Sequence, residues 1–346
     1  MSQMRTDVII VGAGAAGLLA AVAARRLGHE VLVVEASSVV GGTTATTDGA
    51  LWLPANDLMG RGGIPSDSPD VALRYLNGLS APDSPAIAAR RQAFVRTAAA
   101  VGRWLSTSKI ALEVVKSLPD CRPDADGAAA QGRTVRVRPV AAKLPDDWRD
   151  RVRGAGQGDA KPGLLARLTR PFRDPAQPAG GACLIGELLR RALGSGVEVW
   201  LDAPLHALLV DDGTVTGAVV QRGDERVEVH AERGVMLACG GFEGDQSLRQ
   251  EHLPLPTSSA WSVGLGAEGT ALAAGAQVAA AVAGLDQAWW TPVLVADGVA
   301  HKVDAARVAP HSLIVDQAGD RYLNEAQPSV KVTPPQSLAQ ADCWQA

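Results

Sequence analysis

The beginning of the chain alternates between apolar runs and small residues in a pattern that predicts a strand, a helix and a second strand. Residues 8–11 form an unbroken run of β-favouring apolar side chains, which is typical of a buried strand. Small and apolar residues over positions 15–27 predict a helix that ends at Gly28, and the apolar run at 31–34 predicts the second strand. This order indicates a β-α-β unit of an α/β fold.

Three glycines lie where the first predicted strand meets the helix. Gly12, Gly14 and Gly17 give the spacing G-x-G-x-x-G. The first permits a tight turn, the second lets the backbone approach a pyrophosphate, and the third lets helix and strand pack closely. Glu35 ends the second strand, where an acid accepts hydrogen bonds from an adenosine ribose. Because these features are in register, we interpret the segment as a dinucleotide site rather than a chance match or a membrane helix.

A second loop, rich in glycine and threonine, follows at once. Residues 36–56 read ASSVVGGTTATTDGALWLPAN, in which two glycines precede four threonines. A nicotinamide-binding domain has no obvious need for this loop, whereas the flavin end of an extended FAD needs small residues and hydroxyl donors. Gly and Thr are also common in polar surface turns. That alternative stays open, and we favour contact with FAD.

Length and composition add bounds to this interpretation. The 346 residues suffice for two or three domains with a substantial core. The net charge is −4 without a basic excess, which argues against nucleic acid as a partner. The four cysteines are widely spaced and form no CxxC pair, so we expect neither a metal site nor a disulfide framework and favour the cytoplasm. We predict no secretory signal and no transmembrane segment.

Later stretches of the chain carry a family pattern. They are GGTTATTDGALWLPAN at 41–56, the predicted helix, strand and hairpin of 180–220, RGVMLACGGFEGD at 233–245, GLGAEGTALAAGAQVAAAV at 264–282 and LIVDQAGDRYLNEAQPS at 313–329. With the opening unit they resemble the FAD-binding flavoproteins that include fumarate reductase and 3-ketosteroid dehydrogenase, more closely the 3-oxosteroid 1-dehydrogenase branch. The resemblance implies an α/β protein with a Rossmann-like FAD-binding domain and an inserted, here incomplete, α+β substrate domain.

The same resemblance implies domain boundaries and FAD contacts. Residues 1–105 and 180–256 would form the FAD-binding domain, 106–179 a lid or variable insertion, and 257–346 the start of the substrate domain. Composition predicts long loops with short helices in the insertion, with its arginines on a solvated surface. Cys239 is expected to be a buried, unreactive thiol. The predicted FAD contacts are Gly12, Gly14, Ala15, Ala16, Gly17, Glu35, Ala36, Gly41, Gly42, Thr43, Thr44, Thr47, Gly49, Ala50, Leu205, Ala238, Cys239 and Gly240.

The resemblance also indicates how catalysis would proceed. Donors would polarise a ketone oxygen, a base would take the α-proton, and a hydride would go to flavin N5. A family tyrosine lies directly after the N-E-x-x-P motif, and that position is Ser329 here. Ser329 is the candidate catalytic residue, but a serine hydroxyl is far less acidic than a phenol and replaces it poorly. Tyr75 and Tyr322, the two tyrosines of the chain, are expected to be structural.

Family members are considerably longer, and the segment after this motif carries a further tyrosine, a backbone N–H for the ketone oxygen and a Gly-rich stretch. The final TPPQSLAQADCWQA resembles none of these. We therefore expect an intact adenosine half and little or no ketosteroid dehydrogenation by this chain. Three functions stay open: a 3-ketosteroid dehydrogenase-like FAD oxidoreductase acting on a steroid-like ketone, a fumarate reductase-type flavoprotein, and a non-catalytic FAD- or ADP-binding remnant. The sequence identifies no electron acceptor.

Overall fold

The computed structural model describes residues 3–61, 63–79, 84–116, 118–138, 142–154, 180–262, 266–288, 293–296, 299–302, 313–315 and 318–321. It divides into a first compact unit, Met1–Thr46 with Ala142–Gln177 and Ile185–Ala346, and a second, Thr47–Ala141 with Pro178–Leu184. The domain boundaries drawn from the sequence stay predictions.

The described strands are β1 (Gln3–Val11), β2 (Val31–Val34), β3 (Ala50–Trp52), β4 (Leu112–Val114), β5 (Thr134–Val137), β6 (Glu198–Trp200), β7 (Leu205–Asp211), β8 (Thr214–Arg222), β9 (Glu225–Leu237), β10 (Val293–Ala296) and β11 (Val299–Lys302). The described α-helices are α1 (Ala15–Arg26), α2 (Pro69–Leu79), α3 (Pro85–Thr107), α4 (Gly180–Gly194), α5 (Gln246–His252) and α6 (Thr270–Ala276).

The first unit is built on a mixed sheet. Within the described residues its strands follow the order β6–β2–β1–β9–β8–β7. β6, β2, β1 and β9 run parallel, and β7, β8 and β9 form an antiparallel meander. The predicted strand–helix–strand unit is confirmed, since β1 pairs with β2 from Val8↔Val31 to Val11↔Val34 and α1 connects them. The hairpin predicted within 180–220 is also confirmed, since β7 pairs with β8 across the turn residues Asp212 and Gly213. This arrangement is the α/β fold that the glycine pattern indicates.

Burial explains why the central strands are almost wholly apolar. Every residue of β2 is buried, and Ile9, Leu32, Trp200 and Val229 belong to one hydrophobic cluster along the sheet. A parallel strand that is covered on both faces needs apolar side chains at successive positions, not at alternate ones. The continuous apolar runs of the sequence therefore mark the centre of the sheet.

Helix α1 begins directly after the glycine turn and ends at Arg26, two residues before the next glycine. Gly28 adopts φ +87°, a left-handed conformation that favours glycine after a helix. Arg25 and Arg26 lie in the last turn, where positive charge interacts favourably with the helix dipole. Residues 8–24 contain no charged side chain, and they are divided between β1 and α1 and do not form one continuous helix. Among the described residues, no helix is long and apolar enough to cross a bilayer.

The second unit contains strands that the sequence analysis did not find. Among the described residues, β3, β5 and β4 form a small antiparallel sheet in that order. β4 and β5 fall inside 106–179, so the expectation of long loops with short helices was incomplete. Strands of three or four residues are too short for a period of two to be recognisable. Helix α3 has an ordinary start, with Ser84 Oγ accepting the N–H of Ile87 and Pro85 in the first turn.

A buried ion network lies in the second unit. Arg133 is only 1% exposed and donates from Nε and Nη2 to the two carboxylate oxygens of Asp67, each at 2.8 Å. Its Nη1 donates to Asp120 Oδ2 at 2.6 Å. Asp120 Oδ1 accepts the indole N–H of Trp52 at 2.7 Å. The expectation that the arginines of 106–179 lie on a solvated surface was wrong at Arg133, because two carboxylates compensate its buried charge.

Two other conspicuous residues of the second unit have structural contacts. The buried Asn56 donates from Nδ2 to the carbonyl oxygens of Leu53 at 2.7 Å and Gly132 at 2.9 Å. Tyr75 is buried, and its hydroxyl accepts the N–H of Arg122 at 3.1 Å. Burial raises the pKa of Tyr75 to about 12, so its phenol stays protonated.

The described part of the 313–329 stretch is short. Val315 and Arg321 form an isolated antiparallel bridge, and Gly319 between them has φ +88°. Ser329, Tyr322 and the N-E-x-x-P motif lie outside the described residues, so their predicted roles stay predictions.

Candidate functional site

The turn between β1 and α1 is fixed by backbone hydrogen bonds from neighbouring segments. Gly12 donates its N–H to the carbonyl oxygen of Val34 at 2.8 Å. Gly41 donates its N–H to the carbonyl oxygen of Ala13 at 2.9 Å. The strand end, the turn and the second glycine loop are therefore held together by main-chain groups.

The three motif glycines have different surroundings. A Cβ at Gly12 would lie 2.5 Å from the carbonyl oxygen of Ala238, and φ there is +103°. A Cβ at Gly17 would overlap the carbonyl oxygen of Gly12. At Gly14, by contrast, a Cβ would have no heavy atom of the described chain within 4 Å. Gly12 and Gly17 are needed by the fold, whereas Gly14 borders open space.

The start of α1 lies next to that space. Gly14 is the N-cap and makes no side-chain capping bond within the described residues, and the first turn holds no acidic residue. Gly14 and Ala15 are half-buried and Ala16 is exposed. The first N–H groups of a helix have no intrahelical acceptor, and the dipole favours an anion there. This helix start fits a pyrophosphate.

Glu35 is anchored next to the turn. Its Oε2 accepts the N–H of Ala13 at 2.8 Å, and its Oε1 accepts the N–H of Ser37 at 3.0 Å. Each carboxylate oxygen keeps further acceptor capacity. Glu35 is half-buried and the following Ala36 is exposed. The carboxylate is thus oriented by the protein while it can still accept hydroxyl groups of a ribose.

The second glycine loop turns tightly in the first unit. Gly41 has φ +122°, and a Cβ there would lie 2.7 Å from the Ala45 Cβ. Gly42 has φ +49°, and a short 3₁₀ helix, Thr44–Thr46, follows. Thr43 Oγ1 lies 3.5 Å from Glu243 Oε1. Gly42, Thr43 and Thr44 are half-buried.

The end of β9 runs beside the turn. Ala238 donates its N–H to the carbonyl oxygen of Val11 at 2.8 Å, and Gly240 has φ +84°. Cys239 is half-buried, where the sequence analysis expected a buried thiol. Burial raises its pKa, and the negative charge of Glu35 raises it further. Little thiolate forms, which makes this thiol a poor nucleophile.

The remaining predicted contacts have structural surroundings of their own. In the second unit, Thr47 Oγ1 accepts the N–H of Gly49 at 3.1 Å, and a Cβ at Gly49 would lie 2.5 Å from the backbone of Gly180. Ala50 is exposed and starts β3. In the first unit, Leu205 starts β7 and packs against the hydrophobic cluster of the sheet. Their contact with FAD stays a prediction.

The arrangement in the first unit fits the dinucleotide part of FAD. The structure brings together open space at Gly14, an uncapped helix start and an oriented carboxylate at Glu35. Among the described residues, no cluster of three or more His, Cys, Asp and Glu could hold a metal ion. Ser37, whose N–H donates to Glu35, could not be identified from the sequence, because neither its type nor its position belongs to the motif.

Two curated relatives resemble most of the chain. The 3-oxosteroid 1-dehydrogenase of Mycobacterium tuberculosis is 30% identical over 96% of this chain and 64% of its own length. The 4-oxocyclohexanecarboxylate 2-dehydrogenase of Sinomonas cyclohexanicum is 32% identical over 93% of this chain and 59% of its own length. The chain therefore spans less than two thirds of the length of these relatives.

A solved structure and a family model agree with the fold. The 3-ketosteroid delta1-dehydrogenase of Sterolibacterium denitrificans, in complex with 1,4-androstadiene-3,17-dione, superposes with a TM-score of 0.80 and 29% identity, over 94% of this chain and 64% of that chain. The model of the FAD binding domain family matches residues 7–335. The chain therefore belongs to the FAD binding domain family, and its cofactor is FAD.

Proposed function

We propose that this protein is an FAD-dependent dehydrogenase that oxidises a C–C bond next to a ring ketone of a steroid-like substrate. The observation that carries the proposal is the oriented Glu35 carboxylate beside the open helix start at Gly14, in a chain similar over most of its length to ketone dehydrogenases. The two relatives share a ketone in their substrate names, a 3-oxosteroid and a 4-oxocyclohexanecarboxylate. A ring ketone is the chemical group common to both.

FAD, when bound, supplies the hydride-accepting chemistry. We assign the residues that hold it as follows. The backbone of Gly12, Gly14 and residues 15–17 would bind the pyrophosphate, and Glu35 with Ala36 would bind the adenosine ribose. Residues 238–240 and Leu205 would lie on the adenosine side. The loop residues assigned to the flavin side are Gly41, Gly42, Thr43, Thr44, Thr47, Gly49 and Ala50.

The chain's own groups would bind and orient the cofactor. Glu35 would fix the ribose because its two oxygens are already positioned by backbone donors, so that little side-chain entropy is lost on binding. Ser329 stands at the position where the resemblance places a tyrosine. Its hydroxyl would contribute little to proton abstraction, because it is far less acidic than a phenol.

The fumarate reductase alternative has less support. Its resemblance rests on the shared FAD fold, whereas the ketone dehydrogenases resemble the chain at about 30% identity along most of its length. We also propose that the protein works in the cytoplasm. Among the described residues, Cys121 and Cys239 are free thiols, which suits a reducing compartment.

The test is a two-step measurement on the purified protein. Its flavin absorption spectrum is recorded first, and 4-androstene-3,17-dione or 4-oxocyclohexanecarboxylate is then added without oxygen. The proposal expects a bound flavin that one of the ketones bleaches only slowly, because Ser329 replaces the tyrosine and little turnover is expected of this chain, and an artificial dye that restores the colour. The Gly14→Val variant, without flavin, is the control for direct reduction of the dye. A protein that binds FAD contradicts the proposal if its oxidised flavin is never reduced by a ketone, while its flavin, once reduced with dithionite, is reoxidised by fumarate.

A further inference from the structure

The predicted FAD contacts lack a cation. None of them is Lys or Arg, and the segment from Glu35 to Gly49 contains no basic residue. The pyrophosphate of FAD is negatively charged on both phosphates, and Glu35 adds a further negative charge. Glu243, whose carboxylate lies 3.5 Å from Thr43 Oγ1, adds another near the second glycine loop. Free backbone N–H groups offset only part of this charge.

Arg153 is placed at the loop between Glu35 and Gly41 by contacts distant in sequence. Its Nη2 donates to Ser37 Oγ at 2.9 Å, across 116 positions of the chain. Its backbone N–H donates to the carbonyl oxygen of Val40 at 2.9 Å. A Cβ at Gly41 would lie 3.6 Å from the Arg153 Cβ. The side chain therefore lies against the segment that joins the ribose carboxylate to the second glycine loop.

Within the described part of the chain, the guanidinium of Arg153 has no carboxylate partner. Among the described residues it takes part in no ion pair, unlike Arg133, whose charge is compensated by Asp67 and Asp120. Its Nε is buried and makes no hydrogen bond within the described part of the chain. A buried donor without an acceptor is costly and calls for an explanation. Arg153 as a whole residue is half-buried.

We propose that Arg153 is a cofactor-affinity residue that supplies the positive charge for the phosphates of FAD. Ser37 holds the guanidinium at the loop, and the absence of a carboxylate partner in the described residues leaves its charge available to an anion. The charge offsets the repulsion between the phosphates and Glu35. This role rests on the FAD-binding part of the proposed function but not on ketone oxidation.

The experiment measures dissociation constants of FAD, ADP and adenosine for the purified apoprotein by calorimetry and flavin fluorescence. Arg153→Gln should lower the affinity for FAD and for ADP by about tenfold, which is the effect of losing one charge-assisted contact. The affinity for adenosine should stay within about twofold of the wild-type value. The affinity of ADP should also depend less on salt, because a screened charge pair is lost. Arg153→Lys, which keeps the charge, should lose less than Arg153→Gln.

Arg151→Gln is the matched control. This variant removes the same positive charge at a position two residues before Arg153. The Arg151 side chain is exposed, and its Nε donates to the carbonyl oxygen of Asp147. The variant should leave all three dissociation constants unchanged. If Arg153→Gln does not fold, Ser37→Ala provides the second test. Because it releases the guanidinium of Arg153, it should lower the affinity for ADP about threefold and leave the affinity for adenosine unchanged.

The outcomes separate the possible failures. Unchanged binding of FAD and ADP in Arg153→Gln, or an equal loss for ADP and adenosine, overturns the role of Arg153, because the second result would indicate a purely structural effect on the loop. A wild-type protein that binds neither FAD nor ADP overturns the proposed function itself.

Discussion

The N–H of Ala13 donates to Oε2 of Glu35 at 2.8 Å, a hydrogen bond that spans 22 positions of the chain. It joins the turn after β1 to the residue that directly follows β2. The carboxylate that we assign to the ribose is therefore also part of the turn that we assign to the pyrophosphate. Binding and local stability should consequently change together when Glu35 is altered.

The Glu35→Gln variant tests this dual role. A glutamine has one acceptor oxygen, so one of the N–H groups of Ala13 and Ser37 loses its acceptor and meets an amide donor instead. We expect the free energy of unfolding to fall by about 1–2 kcal/mol and the affinity for FAD to fall by about tenfold. Urea unfolding and flavin fluorescence titration measure the two effects. Glu30→Gln alters an exposed carboxylate just before β2 and should change neither the unfolding free energy nor the affinity for FAD. A Glu35→Gln protein that loses only stability, or only affinity for FAD, would contradict the shared role.

Gly14→Val should remove FAD binding without harming the fold. Gly14 has φ −78° and ψ −173°, an extended conformation open to any residue, and a Cβ there meets no atom of the described chain within 4 Å. The new side chain would occupy the space that we assign to the pyrophosphate. We expect a melting temperature within a few degrees of the wild type and no measurable flavin after purification.

Gly12→Val is the matched comparison for that experiment. Its Cβ would lie 2.5 Å from the carbonyl oxygen of Ala238, at φ +103°. This substitution should unfold or strongly destabilise the protein, since both the contact and the backbone conformation exclude it. Retention of FAD by Gly14→Val at wild-type affinity would refute the assignment of the helix start to the pyrophosphate.

Cys239 reports on the charge of Glu35. Burial raises the pKa of this thiol first, and the carboxylate of Glu35 raises it further. Alkylation by iodoacetamide requires the thiolate. We therefore expect slow alkylation of Cys239 at pH 8 and faster alkylation in Glu35→Gln, because the neighbouring negative charge is gone. Mass spectrometry of the labelled peptides gives the rate, with Cys121 as an internal control, since the charge that raises its pKa belongs to Asp120. An identical Cys239 rate in both proteins would show that the two groups do not interact.

The sequence predicted those parts of the fold that depend on local patterns. The runs at 8–11 and 31–34 are apolar at every position because both faces of β1 and β2 are covered, and Gly12, Gly14 and Gly17 mark the turn between them. The turn residues Asp212 and Gly213 likewise marked the β7–β8 hairpin. Each of these signals lies within about ten residues of the structure that it specifies.

The features that escaped prediction depend on contacts between distant segments. Arg133 is separated from Asp67 by 66 positions, and nothing in its immediate sequence distinguishes it from a surface arginine. Arg153 reaches Ser37 only because the backbone at 151–153 pairs with Val40. Charged residues become buried or functional through such placement, and periodicity carries no information about it.

The network around Arg133 should be the most sensitive point of the second unit. Arg133→Met would leave the carboxylates of Asp67 and Asp120 buried without their cation, which we expect to cost about 3–5 kcal/mol of unfolding free energy at pH 7. Arg136→Met is the control. Arg136 is an exposed arginine of β5, the strand that begins directly after Arg133, and it pairs with Glu113 at 2.6 Å. Its loss should cost less than about 1 kcal/mol.

The pH dependence of the same variant distinguishes lost charge compensation from lost packing. Burial alone would raise the pKa of Asp67, but the hydrogen bond from Arg133, aided by the N–H of Ala55, holds it below the ordinary 3.8. The folded wild type therefore gains stability from ionised Asp67 above that value and loses it as the pH falls below about 4. Without Arg133, burial dominates and the pKa of Asp67 rises. As the pH falls, protonation of Asp67 therefore removes the uncompensated buried charge that destabilises the variant. Urea titrations measure the difference in unfolding free energy between wild type and Arg133→Met, and this difference should become smaller from pH 7 to pH 4. A difference that stays constant over this range would assign the lost stability to packing alone.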